Sequence, residues 1–205
     1  VRAGVAAGWP RNDDFNGSVL EVVGPFHFTV RGGRRFGTAA AYLRPALRRH
    51  RDALALVTKA HAHALLFEGR RCVGVRYRRG VALREVRGGE VVLCAGAIGS
   101  PHLLLRSGVG PAAHLRNFGV PLVRDAPGVG SALQDHPIVV LADACRAPIT
   151  ATRIAARPAR LAQALVGRGP LSAPLPGAGG FLRTDPAAPE PDVQLHFVAG
   201  WAEDA

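Results

Sequence analysis

Residues 90–110, EVVLCAGAIGSPHLLLRSGVG, constrain the fold more than any other stretch of the chain. Residues 90–94 are a short apolar, β-branched run, the pattern of a buried strand. Ala95, Gly96 and Ala97 follow, and residues this small let a backbone lie close to something bulky. Ser100 and Pro101 then supply an N-cap and a first-turn proline for a helix begun by Leu103, Leu104 and Leu105, which Gly108 can end. Strand, small-residue turn and helix N-terminus in that order present free N–H groups at the carboxyl end of a strand, where α/β proteins hold nucleotides. Spacing alone leaves a second reading open, an ordinary βα crossover with a tight turn.

The flanking segments read as supporting structure. Residues 9–17, WPRNDDFNG, are turn chemistry. Asp13 and Asp14 are adjacent, so their side chains diverge, and the pair reads as a solvated turn rather than an acid/base or metal site. Residues 26–30, FHFTV, alternate and predict a strand. Thr38 stands where it can cap a helix with apolar members Ala39, Tyr42, Leu43, Ala46 and Leu47, which Pro45 should bend or shorten. Arg44, Arg48, Arg49 and Arg51 read as a wetted helix end rather than a phosphate grip.

Residues 54–58 are a brief apolar run. Residues 60–67 and 72–77 predict two strands joined by a turn at 68–71, with Val73, Val75 and Tyr77 on one face. Residues 84–87 and a Gly88-Gly89 turn complete a meander leading into residues 90–94. His61 and His63 share a strand face at i, i+2, but no third ligand stands near, so two ordinary strand histidines are expected and no metal. Residues 111–115 start a short helix ending near residues 117–119, and residues 120–123 are extended. Gly128-Val129-Gly130 lacks the full G-x-G-x-x-G and its strand–helix setting, so it is not a dinucleotide fingerprint. Asp135 and His136 are sequence neighbours, which rarely reach general-base geometry, and read as a turn. Beyond residue 137, residues 138–141 are apolar, 157–166 carry a helical stripe in Leu161, Ala164 and Leu165, 167–180 form a Gly/Pro-rich loop, and 181–183 and 193–198 are extended.

Composition narrows the class. The formal charge of +11 would suggest nucleic acid or an anionic membrane, but Lys59 is the only lysine and the arginines are scattered rather than gathered on one face. No nucleic-acid partner is therefore expected, with an Arg-rich nucleic-acid-binding module as the rival reading. No apolar run is long enough to span a membrane. Cys72, Cys94 and Cys145 form no C-x-x-C pair and predict neither zinc site nor disulfide framework, which favours a reducing, cytoplasmic setting. Cys94 on its apolar run is expected to pack as a small hydrophobe.

Four motifs then carry a resemblance. GAIGSPHLLLRSGVG is similar to GAINSPQLLMLSGIG, the second signature of the glucose–methanol–choline (GMC) flavoprotein oxidoreductases, departing at Gly99, usually Asn, and His102, usually Gln. GRRFGTAAAYLRPA resembles the family's G-R-R-x-S-x-x-x-A-Y-L-x-P-A, with Gly37 in place of Ser. PGVGSALQDHP resembles PGVGENLQDHP, with Ser131 and Ala132 for Glu and Asn, and PDVQLHF matches a strand of the family's substrate-facing sheet. DDFNG also resembles the family's D-[YF]-N-G. The likeness runs from residue 9 to residue 197, and the paired motifs argue against a different flavoprotein that shares only the βα turn.

The resemblance implies an α/β (mixed α+β) chain holding part of an FAD-binding three-layer domain and part of an antiparallel-sheet substrate domain. Residues 1–36 would be a substrate-domain segment and loop, 37–136 the FAD-binding portion and 137–205 a substrate-binding portion. It implies FAD as cofactor, with hydride passing from an alcohol to the flavin, most like choline dehydrogenase. The turn at residues 59–62 would touch the flavin's adenine through backbone atoms at Ala62, usually Val, and Ala95 and Gly96 would let main chain lie against the adenosine end. The family's N-terminal G-x-G-x-x-G and C-terminal catalytic histidine have no counterpart here, so no catalytic residue is assigned. The sequence is expected to be a central fragment, inactive alone, with an unpaired sheet edge and poor solubility.

Overall fold

The computed structural model describes residues 1–143 and 177–198, with Pro158, Gln163, Leu165, Val166 and Arg168 between them. Cys145 and most of the helix expected over residues 157–166 lie outside the described residues. In chain order the elements are α1 (Arg2–Ala6), β1 (Val22–Pro25), β2 (Val30–Arg31), β3 (Arg34–Arg35), a π-helix (Ala39–Leu43) and α2 (Arg44–Arg49). There follow β4 (Ala60–Glu68), β5 (Arg71–Arg79), β6 (Ala82–Arg87), α3 (Gly96–Arg106), β7 (Val109–Gly110), α4 (Ala112–Asn117) and β8 (Arg124–Asp125). β9 (Ala178–Leu182) and β10 (Val193–Phe197) close the series. Helices mixed with antiparallel sheets match the α/β class expected. The chain divides into two compact units, Val1–Leu54 with Val140–Ala205, and Ala55–Val139.

The first unit is built on an antiparallel sheet in the order β1-β9-β10. Val22 opposes Phe181, Gly24 opposes Gly179, and Leu195 opposes Gly180. Residues 178–180, expected in a loop, are thus the first three residues of the central strand β9. Their glycines answer to close neighbours rather than to a turn: a Cβ on Gly179 would fall 2.0 Å from the Leu195 carbonyl oxygen and 2.4 Å from Phe26 Cζ. The strand expected at 26–30 is displaced, because Val22 and Val23 carry the buried face and β1 ends at Pro25. Phe26 instead packs its ring 5.6 Å from Phe15 and 6.4 Å from Phe181. The loop over residues 9–17 runs beside β1, with Asn12 N donating to the Val23 carbonyl at 3.0 Å and Val23 N to that of Pro10 at 3.1 Å.

Thr38 does not cap its helix. It is already helical, at φ −52° and ψ −36°, and the Gly37 carbonyl takes the free N–H groups of Ala40 and Ala41 instead. Pro45 has no N–H to give and its ring crowds the turn before it, so the bend expected there is expressed as the π-helical turn Ala39–Leu43 running into α2.

The second unit holds the meander β4-β5-β6. Its two hairpins turn at Gly69 and Gly80, at φ +58° and +59°, backbone that suits glycine. Lys59 takes φ +55°, so the turn expected over residues 59–62 is confined to Lys59 and Ala60 already begins β4. Residues 54–58 are not a strand. Val120, Pro121, Leu122 and Val123 lead into β8, whose parallel bridge to β7 sits one step later at Arg124 and Asp125. The Asp125 carboxylate accepts from Ala112 N at 3.0 Å and so caps α4. Leu65, Leu103 and Leu115 are the buried apolar side chains of this unit.

Residues 90–94 are extended but unpaired, because a strand needs a neighbour and the described residues supply none. Cys94 is accordingly exposed rather than packed. α3 starts at Gly96, four residues before the Ser100 cap expected, and Pro101 sits inside it. Ser100 turns its Oγ back to accept from Ala95 N at 3.1 Å, which secures the first turn by another route. Gly108 does end the helix, at φ +85°, and a Cβ there would meet the Pro121 carbonyl oxygen at 2.3 Å. The Asp135 carboxylate accepts from the His136 backbone N at 2.8 Å, but residues 131–140 are irregular backbone and the turn expected at Asp135 and His136 does not form.

Candidate flavin-contact surface

The residues expected to meet a cofactor lie on two elements of the second unit. Ala62 is exposed on β4, an edge strand of the meander, hydrogen-bonded to β5 on one side only. Ala95 and Gly96 are exposed at the start of α3. Gly96 has φ +79°, and a Cβ added to it would meet nothing within 4 Å. A Cβ on Gly99, one turn on, would fall 3.0 Å from that of Ala95, so the small residue there keeps this turn uncrowded. The eleven-residue helix thus begins at a residue with no side chain and with open space where one would stand. That opening suits a bulky ligand approached by main chain.

α3 packs against β4. The join is made at the far end of the helix from Gly96. Ser107 Oγ accepts from Leu65 N at 2.8 Å, and the Arg106 guanidinium lies against the His63 ring, 3.1 Å from Nδ1. Ala62 directly precedes His63, which meets this end of α3, while Gly96 lies about 15 Å from Arg106 along the helix axis, ten residues at 1.5 Å each.

His63 is the unpaired residue of a β-bulge between Ala62 and Ala64. Arg106 above all, then partial burial and the charges of Arg76, His61 and Arg78, hold its imidazole below the ordinary histidine pKa. The neutral ring is the form that can accept from Arg106. His61 and His63 line the same shallow hollow with Arg78, Val81, Leu83 and Arg106, a wholly basic set of titratable groups. Among the described residues no cluster of His, Cys, Asp or Glu could hold a metal ion. Ser107 and the bulge at His63 escaped the sequence reading. The bulge leaves no mark in composition, but a serine directly before a helix-ending glycine is a visible signal.

The glucose–methanol–choline motifs are thereby placed on a frame of known kind. A model of the GMC oxidoreductase family matches residues 1–138. The chain belongs to the GMC oxidoreductases. As a GMC chain it is 46% identical over 206 aligned residues to an oxygen-dependent choline dehydrogenase of Pseudomonas aeruginosa (strain LESB58), a match covering 97% of this chain and 36% of that protein. It thus spans about a third of the length of the curated relatives it matches. Pyridoxine 4-oxidase from Mesorbium loti is 36% identical, with a TM-score of 0.57 over 62% of this chain and 25% of that one. A variant of Aspergillus oryzae formate oxidase, studied for its FAD modification, shares the fold at TM-score 0.74 and 21% identity, over 96% of this chain and 39% of that one. GMC enzymes are flavin-dependent oxidoreductases, and the cofactor indicated for this family member is FAD. No helix among the described residues is long and apolar enough to cross a membrane.

Proposed function

We propose that this chain serves an FAD-dependent oxidation of a small alcohol, choline or a close relative, and that its second unit receives the adenosine side of the flavin. The observation that carries the reading is the 46% identity over 97% of the chain to a choline dehydrogenase. The open main chain at Gly96 and the free edge of β4 at Ala62 support the cofactor's place. Ala62 would offer backbone atoms to the adenine, and Ala95 and Gly96 would let the helix start lie against the adenosine. Residues 37–136 would form the FAD-binding portion, with 1–36 and 137–205 on the substrate side.

When bound, FAD supplies the acceptor for the hydride of the alcohol carbon. What these residues contribute is position: a main-chain cradle that costs no side-chain rearrangement. The test uses the protein from the whole reading frame, purified with its flavin. Anaerobic choline should bleach the visible flavin absorbance. A protein that holds no flavin, or whose flavin no small alcohol reduces, would refute the proposal.

A further inference from the structure

Resting on that placement of the flavin, we infer that Ser107 is a positioning residue: its hydroxyl fastens the edge of β4 to the end of α3 and so sets the spacing between Ala62 and Gly96. The Leu65 N–H points away from β5, toward the outer edge of β4, where sheet partners are lacking. Ser107 Oγ accepts it at 2.8 Å and donates its own hydrogen to the Leu103 carbonyl at 2.6 Å. With its hydrogen committed to Leu103, the hydroxyl has its lone pairs fixed on Leu65. Leu65 and Leu103 are buried, so water is poorly placed to substitute for the bond.

Ser107 is the C-cap of α3, and among the described residues this is the only hydrogen bond that the backbone of β4 donates to a side chain at that end of the helix. The Arg106–His63 contact beside it joins two side chains, both with freedom to turn. Gly108 fixes the same end of the helix from the other side: the Val123 N–H donates to its carbonyl at 2.8 Å, and a Cβ on it would collide with the Pro121 carbonyl oxygen. A helix is stiff, so a shift at Ser107 is carried to Gly96. If one cofactor must touch both Ala62 and Gly96, the serine governs how well the two contacts are preorganised.

The experiment measures FAD affinity of the apo form of the whole protein by flavin fluorescence quenching, for wild type, Ser107→Ala, Ser107→Thr and Leu115→Ala. Ser107→Ala should bind FAD about tenfold more weakly, the size of effect one lost buried hydrogen bond gives. Ser107→Thr keeps the oxygen and should restore affinity. Leu115→Ala lowers stability in the same unit without removing the Ser107 hydroxyl or its two partners and should leave affinity near wild type. At saturating FAD, turnover by Ser107→Ala should equal wild type. Should Ser107→Ala not fold, Ser107→Cys, with its weaker sulfur acceptor, should bind FAD more weakly than wild type, and wild-type affinity there would overturn the inference. So would a Ser107→Ala protein that binds like wild type, or that loses no more than Leu115→Ala. A Gly96→Val control separates the two ideas. If Gly96→Val sheds flavin while Ser107→Ala does not, only the serine's role fails. If Gly96→Val binds normally, the flavin placement itself is wrong.

Discussion

The two three-stranded sheets are both antiparallel, but they are assembled at very different distances along the chain. In the meander, β4, β5 and β6 follow one another through tight glycine turns. In the β1-β9-β10 sheet, Val22 must find Phe181, and only the β9-to-β10 connection is local. Their cores differ to match. The meander's unit buries Leu65 of β4, Leu103 of α3 and Leu115 of α4, whereas the other sheet is held by the Phe15, Phe26 and Phe181 rings and by the Glu21–Arg183 ion pair. A hairpin can be specified by its turn. A sheet closed over a long loop is specified by what its strands leave room for, and here that means glycine.

The sharpest break of that contrast is Gly179→Val. Its side chain would collide with the Leu195 carbonyl and with Phe26, and we expect a loss of about 3–5 kcal/mol in the β1-β9-β10 sheet, enough to unfold it. Amide exchange should report the meander unchanged. Leu115→Ala acts on the other side of the comparison. Leu115 is 2% exposed, and truncation should cost about 3 kcal/mol in denaturant unfolding while leaving β9 and β10 protected.

Arg183→Ala is a smaller perturbation. Hydrogen bonds from Arg183 hold the Glu21 carboxyl below its ordinary pKa of 4.5, so the pair stabilises above that pH, and the stability fades as pH falls through the lowered native value. Arg183→Ala should melt lower at neutral pH and lose this acid dependence. The smallest effect is at His63. Its pKa is held below the ordinary 6.5, so the folded state resists protonation; stability is full above pH 6.5 and declines as pH falls from there toward the native pKa. His63→Gln should flatten that slope in melting curves taken across mildly acidic pH.

The same contrast explains what could be seen in the sequence. The meander, its first turn at Gly69, the end of α3 at Gly108 and the α4 helix were legible because each is written in a few adjacent residues; the second turn, at Gly80, was not, because the glycine pair at 88–89 is the stronger local signal and it only leads out of β6. The strand at 178–180 was not, because Gly-rich sequence signals a loop unless one knows that Phe26 and Leu195 press on it. The strand expected at 90–94 has the right residues, yet pairing is a property of two segments and one sequence run cannot reveal it. The start of α3 was misplaced because Ser100-Pro101 is a strong local cap signal, overridden by a glycine that can turn the chain earlier. Of the site, the small residues at Ala95 and Gly96 were visible as openness in waiting, but Ser107's bond to Leu65 joins elements too far apart in the chain to be inferred.

Hydrogen–deuterium exchange of the whole protein, with its flavin removed and then restored, reads the contact of main chain with cofactor at its source. FAD should slow exchange at residues 60–63 and 95–98 and leave β9 and β10 unchanged. Equal exchange at both segments with and without bound FAD would contradict the assignment of Ala62, Ala95 and Gly96 to the flavin.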